Sequence, residues 1–70
     1  MGVNTRRIKA YRAYNEIGQK EVAEALGVSI TTYSQKEQGI LDFSSKEIGK
    51  LAEIFNVPPG DLFSQNKQLL

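Results

Sequence analysis

Gly27 divides residues 19–39, QKEVAEALGVSITTYSQKEQG, into two short helical patterns, and no other feature of this chain narrows the possible folds as much. Before the glycine, Val22 and Ala23 stand four and three residues ahead of Leu26, the spacing of one buried helical face. Glycine takes the left-handed conformation without a Cβ clash and so ends that helix. Val28 fills the corner, Ser29 is a natural N-cap, and a second helix is predicted over 30–37, closed by Gln38 and Gly39. Ala23 is small where the two helices must come close. Tyr33 points inward, which leaves Ile30, Thr31, Ser34, Gln35 and Gln38 on the opposite side.

Two short helices about a tight turn form a helix-turn-helix, whose second helix enters the major groove of DNA. The remaining helices are predicted over 5–14, 45–55 and 59–63. Thr5 is the expected N-cap of the first, Ile8, Tyr11 and Arg12 share one of its faces, and Asn15 takes its C-cap in a left-handed conformation. Ser44 and Glu47 form a capping box, with Phe43 and Ile48 at the two positions of a hydrophobic staple. Ile48, Leu51, Ala52 and Phe55 then make a core stripe. Asn56 ends that helix, and Pro58-Pro59 opens a short fifth one. The expected fold is all-α, five helices in a single domain over residues 1–70, with a frayed tail over 64–70.

The chain resembles the lambda-repressor/Cro-like (Xre-type) helix-turn-helix DNA-binding family. The match is carried by Arg12, Gln19, Val22, Ala23, Leu26, Gly27, Val28, Ser29, Glu37 and Gly39, and further on by Ile48, Leu51, Ala52, Phe55, Val57, Leu62 and Phe63. It covers residues 5–63. The resemblance implies a compact lambda-repressor-like domain in which Arg12 pairs with Glu37, an ion pair that fixes how the recognition helix is presented. It also implies that Gln19 hydrogen-bonds a DNA phosphate and that Gln35 reads a base.

The residues themselves support such a surface. Glutamine bonds bidentately to adenine, so Gln35 suits an A·T pair, and the methyl groups of Ile30 and Thr31 suit thymine. Ser34 donates or accepts and discriminates poorly. Thr32, Gln38 and the Gly39 amide are candidates for phosphate contacts. Net charge is only +1, but Arg6, Arg7, Lys9, Arg12 and Lys20 crowd the first twenty residues against the single acid Glu16. Arg6 and Lys9 in this basic end, with Lys46 at the start of the fourth helix, are candidate phosphate anchors.

Three positions depart from the family pattern. Glu16 stands where relatives often have glycine. Lys36 replaces an apolar residue, and its stem is expected to cover core while its ammonium reaches solvent. The loop over residues 40–43 is apolar with one acid, where many relatives carry lysine or arginine. Phe43 belongs to the staple; Ile40 and Leu41 either seal the core or form an apolar patch for a protein partner.

With no histidine and no cysteine, the usual general bases, nucleophiles and metal ligands are missing, and no Gly-rich phosphate loop is present. An enzyme is therefore excluded, and no metal or cofactor is expected. No apolar run reaches membrane-spanning length, no signal peptide is visible, and Arg6 breaks the myristoylation pattern. These features predict a cytoplasmic protein. The resemblance implies a nucleoid-associated regulator of bacterial or phage type, which would repress transcription by binding double-stranded DNA as a homodimer. The alternative is a protein-interaction module or antitoxin-type partner that uses the apolar loop over residues 40–43, with Ile40 and Leu41 meeting the partner.

Overall fold

Four α-helices and one 3-10 turn build the fold in a computed structural model that describes residues 2–63. They are α1 (Thr5–Tyr14), α2 (Gln19–Leu26), α3 (Ile30–Glu37), α4 (Ser45–Phe55) and the turn Pro59–Leu62. The four α-helices lie where the sequence predicts them. The fifth does not form as an α-helix. Asp61 N–H donates to the Pro58 carbonyl at 3.0 Å and Phe63 N–H to Gly60 at 3.2 Å, bonds that close after three residues rather than four. A proline and a glycine in four residues leave too few donors and too much backbone freedom for an α-helical turn to propagate. Phe63 instead runs extended and pairs with Val3 in an isolated antiparallel bridge. The tail over 64–70 and any dimer contacts made by it lie outside the described residues.

Each helix end is set by a local polar bond. Asn4, not Thr5, caps α1: its Oδ1 accepts from Arg7 N–H at 3.1 Å, and Thr5 is already helical. At the other end Asn15 keeps a negative φ of −88°, and Glu16 takes the left-handed conformation, φ 56°. The left-handed residue thus falls where relatives often have glycine, one position later than expected. Asn15 serves the helix end differently, through its side-chain amide on the Tyr11 carbonyl at 2.7 Å. Gly18 N–H is received by Glu21 Oε1 at 2.9 Å, which puts a carboxylate at the positive end of α2. Gly27, φ 77°, ends α2 and returns Val28 N–H to the Ala23 carbonyl at 3.0 Å. Ser29 Oγ caps α3, and Ser44 and Glu47 cap α4 reciprocally at 3.1 and 2.9 Å.

The core contains Ile8 from α1, Val22 and Ala23 from α2, Tyr33 from α3, and Ile48, Leu51, Ala52 and Phe55 from α4. Phe43 and Leu62 complete it. Phe43 meets Tyr33 edge to face with ring centroids 6.0 Å apart, so the staple residue also braces the recognition helix. Truncating one of the large aliphatic side chains to alanine costs about 2–5 kcal/mol. That is a large share of the total in a domain this small. The two ends of the described chain are tied together: Asn4 N–H donates to the Leu62 carbonyl at 2.8 Å, Arg7 Nη1 to the Asp61 carbonyl at 3.2 Å, and Tyr11 OH to Asp61 Oδ2 at 3.1 Å. With α1 and the 3-10 turn clamped in this way, and Tyr11 against Phe55 of α4 at 5.7 Å between ring centroids, α2 and α3 are presented on a fixed base.

Candidate nucleic-acid interface

The presentation of α3 depends on one buried carboxylate. Glu37 closes the helix and is 2 % exposed, so its charge needs partners. It has four donors. Arg12 Nε lies 2.8 Å from Oε2 and Arg12 Nη2 3.2 Å from Oε1, a two-pronged pair. Tyr33 OH donates to Oε2 at 2.6 Å, and Gln19 Nε2 to Oε1 at 2.8 Å. Arg12 Nη1 reaches on to the Ile17 carbonyl at 3.2 Å, which fixes the connector between α1 and α2. Burial acts to raise the Glu37 pKa, but the bonds from Arg12, Tyr33 and Gln19 outweigh it and hold the carboxyl below its ordinary value. Burial and the bond to Glu37 push the Tyr33 phenol well above its own. The Arg12–Glu37 pair is as expected. Tyr33's part in it is an addition to the expected pair, and its signal is the four-residue spacing to Glu37 on one helix face.

On the other side of α3, Ile30, Thr31, Ser34, Gln35 and Gln38 border a shallow concavity of about 430 Å³ together with Gln19 and Ile40. None of its lining residues is charged. Ile30 and Thr31 are exposed, and among the described residues the Gln35 amide has no hydrogen-bonding partner. Gln38 Nε2 donates to Ser34 Oγ at 3.0 Å, and Ser29 Oγ to Thr32 Oγ1 at 3.0 Å. The Gly39 amide is already engaged with the Lys36 carbonyl at 3.1 Å. The recognition face is therefore polar, methyl-bearing and neutral, and it is outside the core.

Residues 5–68 match the family described as a helix-turn-helix domain. The chain belongs to that family, in its Xre/Cro-like form. It is 39% identical over 57 residues to an uncharacterized HTH-type transcriptional regulator of Methanocaldococcus jannaschii, covering 81% of this chain and 86% of that protein. It is 31% identical over 61 residues to the cryptic phage CTXphi transcriptional repressor RstR of Vibrio cholerae, covering 87% of this chain and 55% of the repressor. The solution structure of the SOS-response transcriptional repressor LexA of Eubacterium rectale superposes with a TM-score of 0.80 at 28% identity, over 97% of this chain and 72% of that one. A helix-turn-helix regulator of this kind binds DNA and is not an enzyme.

Within this helix-turn-helix protein the expected anchors are dispersed. Arg6 and Lys9 are exposed on α1, without an ion-pair partner among the described residues. Lys46 is exposed in the first turn of α4, where it borders a small recess with Ala25, Leu26 and Lys50 rather than the α3 concavity. Gln19 is half-buried, and one of its amide protons is committed to Glu37, which leaves the second for another acceptor.

Lys36 departs from expectation, and the apolar loop loses one of its two alternatives. The Lys36 ammonium does not reach out to solvent: it is held 2.8 Å from Glu47 Oε1 and 3.0 Å from the Asp42 carbonyl, 5.8 Å above the Phe43 ring. The loop supplies acceptors and an aromatic face, so capture stabilises the cation better than partial hydration at a 13 % exposed site. Ile40 and Leu41 do not seal the core; they are 64% and 40% exposed. No helix among the described residues is long and apolar enough to cross a membrane, and none of their acidic groups cluster as a metal site would require.

Proposed function

We propose that the protein is a transcriptional repressor that recognises a specific double-stranded DNA sequence by placing α3 in the major groove. The observation that carries this reading is the uncharged concavity along α3, whose side chains are left outside the core while the helix is clamped from behind through Glu37. Ile30, Thr31, Ser34 and Gln35 face base edges. Gln35 pairs with adenine, and Ile30 and Thr31 with thymine methyl groups. Arg6, Lys9, Gln19, Thr32, Gln38 and Lys46 hold phosphates. Gly39 contributes by shaping the turn, its amide being engaged internally.

One copy offers few phosphate contacts, so two copies related by a twofold axis bind half-sites about 34 Å apart. The phage and SOS-response relatives are transcriptional repressors, which supports repression over activation. Selection of bound duplexes from a random-sequence pool by the 70-residue chain tests the reading: an inverted repeat should emerge, and its affinity should fall as salt is raised. Leu41, exposed outside the α3 concavity, favours a second reading, an antitoxin-type protein partner. Absence of any preferred duplex would support that alternative.

A further inference from the structure

Ile40 and Leu41 are adjacent in sequence but line different concavities. Leu41 borders one of about 240 Å³ with Val3, Thr5 and Phe43, whereas Ile40 borders the α3 concavity with Ile30, Thr31 and Gln35. They are therefore poor candidates for one joint apolar patch. Ile40 is also held in place. Gly39, φ 87°, turns the chain at the end of α3, and the Gln35 carbonyl then receives Ile40 N–H at 2.9 Å and Leu41 N–H at 3.2 Å. The isoleucine is thus anchored to the same residue that offers its amide to a base.

Resting on the DNA-binding reading above, we infer that Ile40 is a further specificity-determining residue, which contacts a thymine 5-methyl group at the far end of the recognised half-site from Ile30. Both isoleucines are exposed, at 48% and 64%, on a surface otherwise made of amides and hydroxyls. The major-groove edge of a base pair presents one apolar group, the thymine methyl, and an apolar side chain is its natural complement. Ile30 opens α3 and Ile40 follows its end, with Thr31, Ser34 and Gln35 between them in sequence, so the two isoleucines reach different base pairs. A loop that is basic in many relatives and touches the backbone is here turned to reading sequence.

The test uses the whole 70-residue chain and its selected duplex, with each thymine replaced in turn by deoxyuridine, which removes only the methyl group. Taking one methyl out of water corresponds to about a four-fold change in Kd. The wild type should lose about that much at one thymine and again at a second, separate thymine. Ile40→Ala should be insensitive to deoxyuridine at the first and retain the loss at the second; Ile30→Ala should do the reverse. Circular dichroism of each variant establishes that the exposed substitution leaves the fold intact. A methyl-sensitivity profile of Ile40→Ala identical to the wild type's, on a duplex that both bind specifically, overturns the inference and leaves DNA recognition standing. Failure of the wild type to select any duplex overturns both.

Discussion

The Gln19 side-chain nitrogen lies 2.8 Å from Glu37 Oε1, the oxygen that also receives Arg12 Nη2 at 3.2 Å. The residue expected to meet phosphate is therefore wired to the pair that positions the recognition helix. Arg12→Ala leaves a carboxylate buried without its cation and should lower stability by about 3–5 kcal/mol, measured by urea denaturation. Gln19→Ala removes one bond of four to the same charge and should cost about 1.5–3 kcal/mol, in addition to weakening DNA binding. A Gln19→Ala protein as stable as the wild type would mean that the bond to Glu37 contributes nothing.

Acid should weaken the fold through the same group. The Glu37 carboxyl in the folded protein sits below its ordinary value of 4.5, because the bonds from Arg12, Tyr33 and Gln19 overcome the opposing effect of burial. Glu47 is shifted the same way, with burial again opposed and outweighed by Lys36 and the Ser44 amide. Below 4.5 the unfolded chain takes up protons that the folded chain resists, so stability falls as pH drops through the folded values and is fully present above 4.5. At the alkaline end, the Tyr33 phenol is raised from 10.0 by burial and by Glu37. The unfolded chain then releases its proton first, and stability declines as pH rises beyond 10. Urea titrations from pH 3 to pH 11 should show a plateau between these limits. Tyr11 is raised in the same direction, by burial and its bond to Asp61, so Tyr33→Phe should lessen the alkaline arm without abolishing it.

Glu16 holds a left-handed conformation, φ 56°, in the turn between α1 and α2. For a residue with a Cβ that conformation costs about 1–2 kcal/mol, while glycine's extra freedom in the unfolded chain removes about 0.4–1 kcal/mol of any gain. Glu16→Gly should therefore raise stability by about 0.5–1 kcal/mol, read as a higher midpoint in urea at unchanged slope. A lower midpoint would show that the turn is not strained.

The ends of the α-helices were legible because their punctuation is local: Gly27, Ser29, Ser44 and Asn56 each act within a few residues of where they stand. Errors arose where two local choices competed or where the partner was distant. Asn4 and Thr5 both make good caps, and only the reach of Asn4 Oδ1 to Arg7 decides between them. Residues 59–63 carry proline in a helix-opening position, yet the following Gly60 and the extended pairing of Phe63 with Val3 stop the turn at 3-10. Lys36 could not be matched to Glu47 from periodicity, since the two lie eleven residues apart on different helices. The membership of Ile40 in the α3 surface was invisible for a similar reason: it follows the turn at Gly39, beyond the helix whose face it extends.

Base reading and phosphate anchoring should separate cleanly in mutants. The Gln35 side-chain amide is without an internal partner among the described residues, so Gln35→Ala should leave stability within about 0.5 kcal/mol of the wild type. It should cost about 1–3 kcal/mol of binding to the selected duplex, with preference relaxed at one base pair. Arg6 is exposed and acts as a point of charge, so Arg6→Ala should weaken binding to all duplexes alike and reduce the salt slope by about 1. The two variants together discriminate the mechanism, because a protein held on DNA by charge alone would respond to Arg6→Ala and ignore Gln35→Ala. Loss of affinity in Gln35→Ala spread evenly over every sequence would remove Gln35 from base recognition and assign it to the backbone instead.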